Sequence, residues 1–229
     1  FKDKINMNIK KIKTFLFYMS CIFQGKSLCR ILQNVEFQKY NLKGKIIEFG
    51  AEPNSKNNFS KSIKSKKKIL FADKYIKHKD VINVDLNKNI PISKNSFDSV
   101  IFFNIMEHLL DIQNAKKQVH KILKKNGTLI GSTPFLYRFH GAPSDYYRFT
   151  KPFFENFFKS EFKSVKIYNL GFGPMTSCYS ILSDFSKKIP LLNNLLFIIC
   201  YLVDFFLSFL VNYKLKDIYP IAVFFVLKK

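Results

Sequence analysis

Along the chain, short apolar runs closed by a polar or glycine residue alternate with amphipathic stretches. Lys45-Ile46-Ile47-Glu48-Phe49 stops at Gly50, Lys68-Ile69-Leu70-Phe71-Ala72 at Asp73, and Asp80-Val81-Ile82-Asn83-Val84 at Asp85. Phe97–Phe103 stops at Asn104, and Thr128–Ser132 follows Gly127. Continuous apolar runs bounded by turn formers predict strands buried on both faces. Between the last two runs, Ile112, Ala115, Val119 and Ile122 recur at helical spacing. Asp111 suits an N-cap and Gly127 a left-handed stop, so the spacing predicts a helix over 111–125. Two further strands are predicted at 162–170 and 219–227. Buried strands alternating with helices specify an α/β fold, a mainly parallel sheet covered on both faces.

The segment between the last two strands breaks this pattern. Leu195 to Val211 is apolar with one charge, Asp204, and is marginal in length for a membrane span. Asn193, Tyr201, Asp204, Ser208 and Asn212 share one face of a helix, interrupted by Phe197. Such a helix lies in a membrane interface, caps the core or a second copy, or spans. Flanking strands in one sheet oppose a single crossing, so interfacial contact through residues 190–213 is the preferred reading. Near the start, Lys10, Lys11 and Lys13 precede the apolar Phe15-Leu16-Phe17-Tyr18-Met19. That order resembles a secretory leader, but no small-residue cleavage site follows, and a basic amphipathic helix is expected instead.

Composition narrows the partners. Of 229 residues, 47% are hydrophobic, which excludes intrinsic disorder. The 38 basic and 16 acidic side chains give a net charge of +22, yet only Arg30, Arg138 and Arg148 are arginine. Nucleic-acid readers rely on arginine for bidentate contacts, so nucleic acid is not the expected partner. Lysine point charges suffice for an anionic membrane surface. Cys21, Cys29, Cys178 and Cys200 show no CxxC or metal spacing, which fits a reducing compartment. The expected location is cytoplasmic, peripheral or monotopic at a membrane.

In open α/β sheets, ligands bind outside the carboxyl ends of the strands. Glu48 to Gly50, Asp73, Asp85 and Asn104 occupy those ends. Asp73 follows Gly50 at a distance that suits ribose hydroxyls, and a carboxylate at Asp85 can accept from an exocyclic amine.

These residues carry a resemblance. Ile46-Ile47-Glu48-Phe49-Gly50, Phe71-Ala72-Asp73, Val84-Asp85-Leu86 with Ile90-Pro91, and Ser96-Phe97-Asp98-Ser99-Val100 begin it. Met106-Glu107-His108, the stretch Ile122 to Leu129, and Asp145-Tyr146-Tyr147-Arg148-Phe149-Thr150 continue it. Over residues 43–173 and 218–228 the chain resembles a class I S-adenosylmethionine-dependent methyltransferase of the type 11 group. The resemblance implies a Rossmann-like, seven-stranded, mainly parallel sheet with an antiparallel last strand and helices on both faces. A hydrophobic helical segment is inserted between the last two strands. It implies one methyltransferase domain over 1–229: a basic helical region 1–42, a cofactor-binding core 43–173, the insertion 174–217 and a closing strand 218–229.

The implied cofactor is S-adenosyl-L-methionine. Glu48 and Gly50 would border its methionine part, Asp73 its ribose, and Asp85 with Leu86 its adenine, while Asn104 and the Glu107-His108 pair line the pocket. The chain departs from the family where Ala51-Glu52-Pro53-Asn54 replace further glycines, since a side chain occupies room that glycine leaves open.

Methyl transfer needs alignment and sometimes a base. Candidate catalytic residues are His140, Asp145 and His108, and candidate substrate-binding residues are Tyr146, Tyr147 and Arg148, on a flap after the fifth strand. Asp145 serves either as a base or as the partner of Arg148, and His108 either as a base or as a helix cap. Glu107, His108 and Asp111 are metal-ligand types, but adjacent and i+3 spacing is poor geometry, so no metal is expected. The lysine run Lys61, Lys64, Lys66, Lys67 and Lys68 reads as a solvated helix end.

The leading function is methyl transfer to a small-molecule, glycan or lipid-linked acceptor at a membrane surface. One alternative is a degenerate, non-catalytic, membrane-associated scaffold, motivated by the altered glycine loop. The other is an RNA methyltransferase, motivated by the charge.

Overall fold

The computed structural model describes residues 2–63, 69–141 and 144–229, with side chains from residue 12 onward. In chain order its helices are α1 (Lys2–Phe23), α2 (Leu28–Phe37), α3 (Ile112–Ile122), α4 (Lys151–Lys159), α5 (Pro174–Ser186), α6 (Pro190–Leu210) and α7 (Leu215–Ile218). Its strands are β1 (Ile46–Phe49), β2 (Ile69–Asp73), β3 (Val81–Asn83), β4 (Phe97–Phe103), β5 (Leu123–Pro134), β6 (Ser164–Leu170) and β7 (Ala222–Lys228). Short 3-10 turns occupy Phe59–Ser62 and Met106–His108. The described chain forms two compact units: residues 33–170 with 222–229, and residues up to 32 with 171–221.

The first unit holds one seven-stranded sheet of order β3-β2-β1-β4-β5-β7-β6. Strands β1 to β5 pair in parallel, and β7 pairs antiparallel with both β5 and β6. The mainly parallel fold with an antiparallel last strand, expected from the sequence, is borne out. Strand β7 shows how both faces are covered, because successive side chains alternate across a sheet. Phe224 stacks near Tyr40 and Phe103 on one face, where Phe37 and Phe59 also pack. Phe225 meets Phe154 and Phe158 of α4 on the other. Fully burying such a ring contributes about 1.5–3 kcal/mol, so an alternation of one residue commits β7 to two cores.

Helix α3 begins as expected, with Asp111 accepting from the Asn114 amide at 2.8 Å. It ends earlier than expected, at Ile122, and Leu123 already opens β5. The left-handed residue is Asn126 (φ 63) rather than Gly127, which lies inside the strand. Asparagine tolerates that conformation because its short polar side chain bonds locally. Of the lysine run, positions 64 and 66–68 lie outside the described residues.

The second unit is helical, and its helix α6 buries polar side chains and exposes apolar ones. The N-terminal and middle part of the polar stripe on α6 points inward, where Asn193, Phe197 and Asp204 are buried and Tyr201 is half-buried, while Ser208 and Asn212 at its far end are exposed. Asp204 accepts from the Met175 and Thr176 amides at 2.9 and 2.8 Å and from the Thr176 hydroxyl at 2.6 Å, capping the start of α5. Asn193 Oδ1 accepts from the Tyr179 and Ser186 hydroxyls, while its Nδ2 donates to the Ile22 carbonyl of α1. The Phe15 ring of α1 packs on Tyr201 with centroids 5.0 Å apart. With the polar groups spent inside, apolar side chains face out: Leu195, Phe206, Phe209 and Leu210 of α6, and Leu182 and Phe185 of α5, are all exposed. Among the described residues, α6 alone is long and apolar enough to cross a membrane.

Candidate active site

The loops after β1 and β4 emerge side by side, because β1 lies between β2 and β4 with all three parallel. The connections diverge there, which is where this architecture opens its ligand crevice. Gly50 turns the chain out of β1 at φ +68, its amide donating to the Ala72 carbonyl at 2.8 Å. A Cβ at Gly50 would meet only the tip of the Ile105 side chain, which can shift, so it is the left-handed conformation that favours glycine. Further along the altered loop, Asn54 reaches φ +67 without being glycine.

The strand-end carboxylates differ in how much of each is already used. Glu48 is buried and accepts from the Phe59 and Ser60 amides at 2.7 and 3.1 Å, folding the loop back onto β1. Asp73 Oδ1 accepts from the Tyr75 and Ile76 amides, and Oδ2 takes no hydrogen bond from the described residues. Asp85 Oδ1 accepts from the Asn87 amide and side chain, and Oδ2 lies 3.1 Å from the Lys74 ammonium. Burial pushes the Asp85 carboxyl up, but the Asn87 amides and Lys74 outweigh it and hold the group below its ordinary value. Leu86 beside it is buried. Asn104 ends β4 at φ +54, its amide donating to the Ser132 carbonyl and its side chain paired with buried Gln33. A glycine turn, a carboxylate oxygen left over at β2, and an apolar residue after β3 fit a nucleoside-bearing cofactor.

The loop after β5 brings a second group of residues together. Arg148 grips Asp145 with both terminal guanidinium nitrogens, the Nη2 contact being 2.6 Å, and the His140 amide donates to Asp145 Oδ2 at 3.1 Å. Arg148, more than any other group, holds the Asp145 carboxyl at about 2. So weak a base takes no proton near neutrality, and the geometry assigns Asp145 to holding the loop. His140 is kept below the ordinary imidazole range, first by burial and then by repulsion from His108. A neutral imidazole of this kind can accept a proton. Tyr146 and Tyr147 are exposed, with Tyr147 stacked on Phe149.

Glu107, treated in the sequence as one of a pair lining the pocket, stands at the centre of this group. It is completely buried, and neither carboxylate oxygen has a hydrogen-bond partner among the described residues. Burial lifts its carboxyl to about 8. Its neighbour His108 bonds through Nδ1 to the Ser144 carbonyl, and the His108 and His140 ring centroids are 5.0 Å apart. Gln33 was not singled out from the sequence at all; a glutamine inside an amphipathic helix carries no signal of its own.

Residues 57–131 match a family model described as a methyltransferase domain. No curated protein matches the chain in sequence. The fold is similar to that of an S-adenosylmethionine-dependent methyltransferase from Archaeoglobus fulgidus, at 14% identity and TM-score 0.55, over 94% of this chain and 100% of the other. It is also similar to a Haemonchus contortus phosphoethanolamine N-methyltransferase, solved with phosphomonomethylethanolamine and S-adenosylhomocysteine, at 14% identity and TM-score 0.52. There 86% of this chain is covered, and the chain spans about half the length of that enzyme (52%). A third is SpnF, a [4+2]-cyclase, at 9% identity and TM-score 0.52, over 88% of this chain and 80% of the other. Residues 57–131 therefore match a methyltransferase-domain model and the sheet has the class I methyltransferase fold, in agreement with the resemblance. The presence of a cyclase among the neighbours shows that this fold by itself does not fix the reaction.

Proposed function

We propose that the protein transfers a methyl group from S-adenosyl-L-methionine to a small-molecule, glycan or lipid-linked acceptor presented at a membrane surface. The observation that carries the cofactor is the combination of the methyltransferase-domain match with a glycine turn and two carboxylates at the ends of adjacent strands. When bound, the cofactor supplies an electrophilic methyl on a sulfonium. Asp73 would hold the ribose hydroxyls through Oδ2, Asp85 and Leu86 the adenine, and Gly50 would let the backbone come close. His140 is placed to take the acceptor's proton, and Asp145 with Arg148 holds the His140 segment in position.

Membrane contact is supported by the helical unit. The outward faces of α5 and α6 carry exposed apolar side chains, while Asn193, Asp204, Tyr179 and Ser186 are hydrogen-bonded inside. Lys187 and Lys188 precede α6, and Lys214 and Lys216 follow it. Flexible cations at the ends of an apolar helix reach anionic headgroups while the helix lies in the interface.

Calorimetric titration with S-adenosylhomocysteine, followed by transfer of labelled methyl from S-adenosylmethionine to extracted lipids and glycans, tests the reading. A phosphorylated amine of the kind bound by the Haemonchus enzyme belongs in the acceptor set. Absence of binding by folded protein at millimolar ligand would overturn it in favour of a non-catalytic scaffold built on Ala51-Glu52-Pro53-Asn54.

A further inference from the structure

We propose that Glu107, His108 and His140 form a site for one divalent transition-metal ion of the zinc, cobalt or manganese kind. One donor atom from each residue lies within 4.8 Å of the other two. Spacing in sequence argues against a site because it offers only Glu107, His108 and Asp111. The fold replaces Asp111 with His140, delivered by the loop after β5.

Three observations point to a ligand. Glu107 is wholly enclosed, and both its oxygens lack a hydrogen-bond partner among the described residues. Buried polar groups are almost always paired, and an enclosed carboxylate is costly unless a cation or donor meets it. The second observation is the fixed tautomer of His108. Its Nδ1 bonds to the Ser144 carbonyl, which only accepts, so the proton sits on Nδ1 and the lone pair on Nε2. That Nε2 lies 3.9 Å from Glu107 Oε1. A backbone carbonyl on the far nitrogen is the usual means of orienting a metal-binding imidazole. Third, His140 Nδ1 is buried with no hydrogen-bond partner among the described residues, and the Asp145 Oδ2 charge 3.3 Å away favours a proton on that nitrogen, which leaves the Nε2 lone pair for an ion.

The donor set selects the ion. Two imidazoles and one carboxylate suit zinc and its first-row neighbours, whereas magnesium and calcium favour all-oxygen shells. Donors about 2.0–2.2 Å from one ion stand roughly 3–3.5 Å apart, so the cluster must contract on binding. With the His140 backbone held by Asp145, that contraction falls to rotation of the side chains. Three protein ligands leave coordination positions for water or an acceptor oxygen. An ion here would thus meet the acceptor and, with His140 spent as a ligand, would replace that imidazole in making the acceptor's proton easier to lose, a consequence that rests on the proposed function, although the site itself does not.

Metal-stripped full-length protein is titrated with Co²⁺, read by visible absorption and equilibrium dialysis, beside calorimetry with S-adenosylhomocysteine. Wild type is expected to bind a single Co²⁺ per chain. Glu107→Gln and His140→Gln should each weaken binding by at least about tenfold, and His78→Gln, a surface change, should not. Should Glu107→Gln fail to fold, His108→Gln and His140→Gln carry the same comparison. Co²⁺ affinity unchanged by these substitutions, or no Co²⁺ spectrum in folded wild type, overturns the site. Nucleoside binding without cobalt defeats this inference alone; cobalt binding without nucleoside binding upholds it and defeats the proposed function.

Discussion

The side-chain amides of Gln33 and Asn104 form a reciprocal pair: Gln33 Nε2 donates to Asn104 Oδ1 at 2.7 Å, and Asn104 Nδ2 donates to Gln33 Oε1 at 3.2 Å. Gln33 Nε2 also reaches Ser132 Oγ at 3.2 Å, and Ser132 donates to the Val223 carbonyl at 2.8 Å. One fully buried side chain thereby joins the ends of β4 and β5 and holds Asn104 in its left-handed turn. Gln33→Leu leaves the Asn104 amide without its partner inside the protein. We expect a loss of about 1–3 kcal/mol in stability, measured by urea denaturation, and no change for Gln38→Leu on the surface.

Asp73 and Asp85 should respond differently to truncation. Asp73 has an oxygen beyond those used by its own turn, whereas Asp85 is already engaged by Asn87 and Lys74. Losing a charged hydrogen bond costs about 1.5–3 kcal/mol, so Asp73→Ala should weaken S-adenosylhomocysteine binding by roughly tenfold to a hundredfold. Asp85→Ala should have the smaller effect. Calorimetry on both variants checks the order, and equal losses would contradict the assignment.

The Asp98 carboxylate clips three strands. It accepts from the Lys45 amide at 2.8 Å before β1, and from the Lys124 ammonium at 3.0 and 2.9 Å in β5. Gly44, at φ +68, makes room, since a Cβ there would fall 2.3 Å from the carboxyl. Lys124 first, then the Lys45 amide, holds the group below its ordinary value of 3.8. A carboxyl depressed by folding contributes stability above its unfolded value and loses it as pH falls through the folded one. Acid unfolding of wild type should therefore steepen below about pH 4, and Asp98→Asn should remove that component while being less stable at neutral pH.

Phe206 and Leu195 are exposed on the outward face of α6, at 63% and 53%. Neither holds the helical unit together, so Phe206→Glu and Leu195→Glu should leave its folding intact. Each apolar side chain of this size contributes about 1.5–3 kcal/mol when buried in an apolar phase. Flotation on phosphatidylserine vesicles should fall at least about tenfold for the double variant. Asp204→Ala should do the reverse, destabilising the unit by freeing the Met175 and Thr176 amides. Flotation equal to wild type in the double variant would refute membrane contact through α6.

Sequence by itself determined the sheet and most of the crevice. Runs such as Ile46–Phe49 and Phe97–Phe103 are mostly apolar, Glu48, Asp98 and Ser99 excepted, because they are covered on both faces, and that pattern survives without knowing any neighbour. Asp111 and Gly50 were legible for the same local reason, one as a cap and the other as the turn that stops β1, whereas the left-handed stop expected at Gly127 falls on Asn126. Tertiary structure decided what periodicity cannot. A helical repeat says which residues of α6 share a face but not which way that face points; the unfilled amides at the start of α5 and the hydroxyls of Tyr179 and Ser186 turned Asp204 and Asn193 inward. It likewise brought His140 to Glu107 and His108, because a loop's path is set by what it packs against and not by its own sequence. Nor does the sequence show that Glu107 is fully buried with the Tyr146 amide on its backbone carbonyl at 2.8 Å, since burial is set by what packs around a residue.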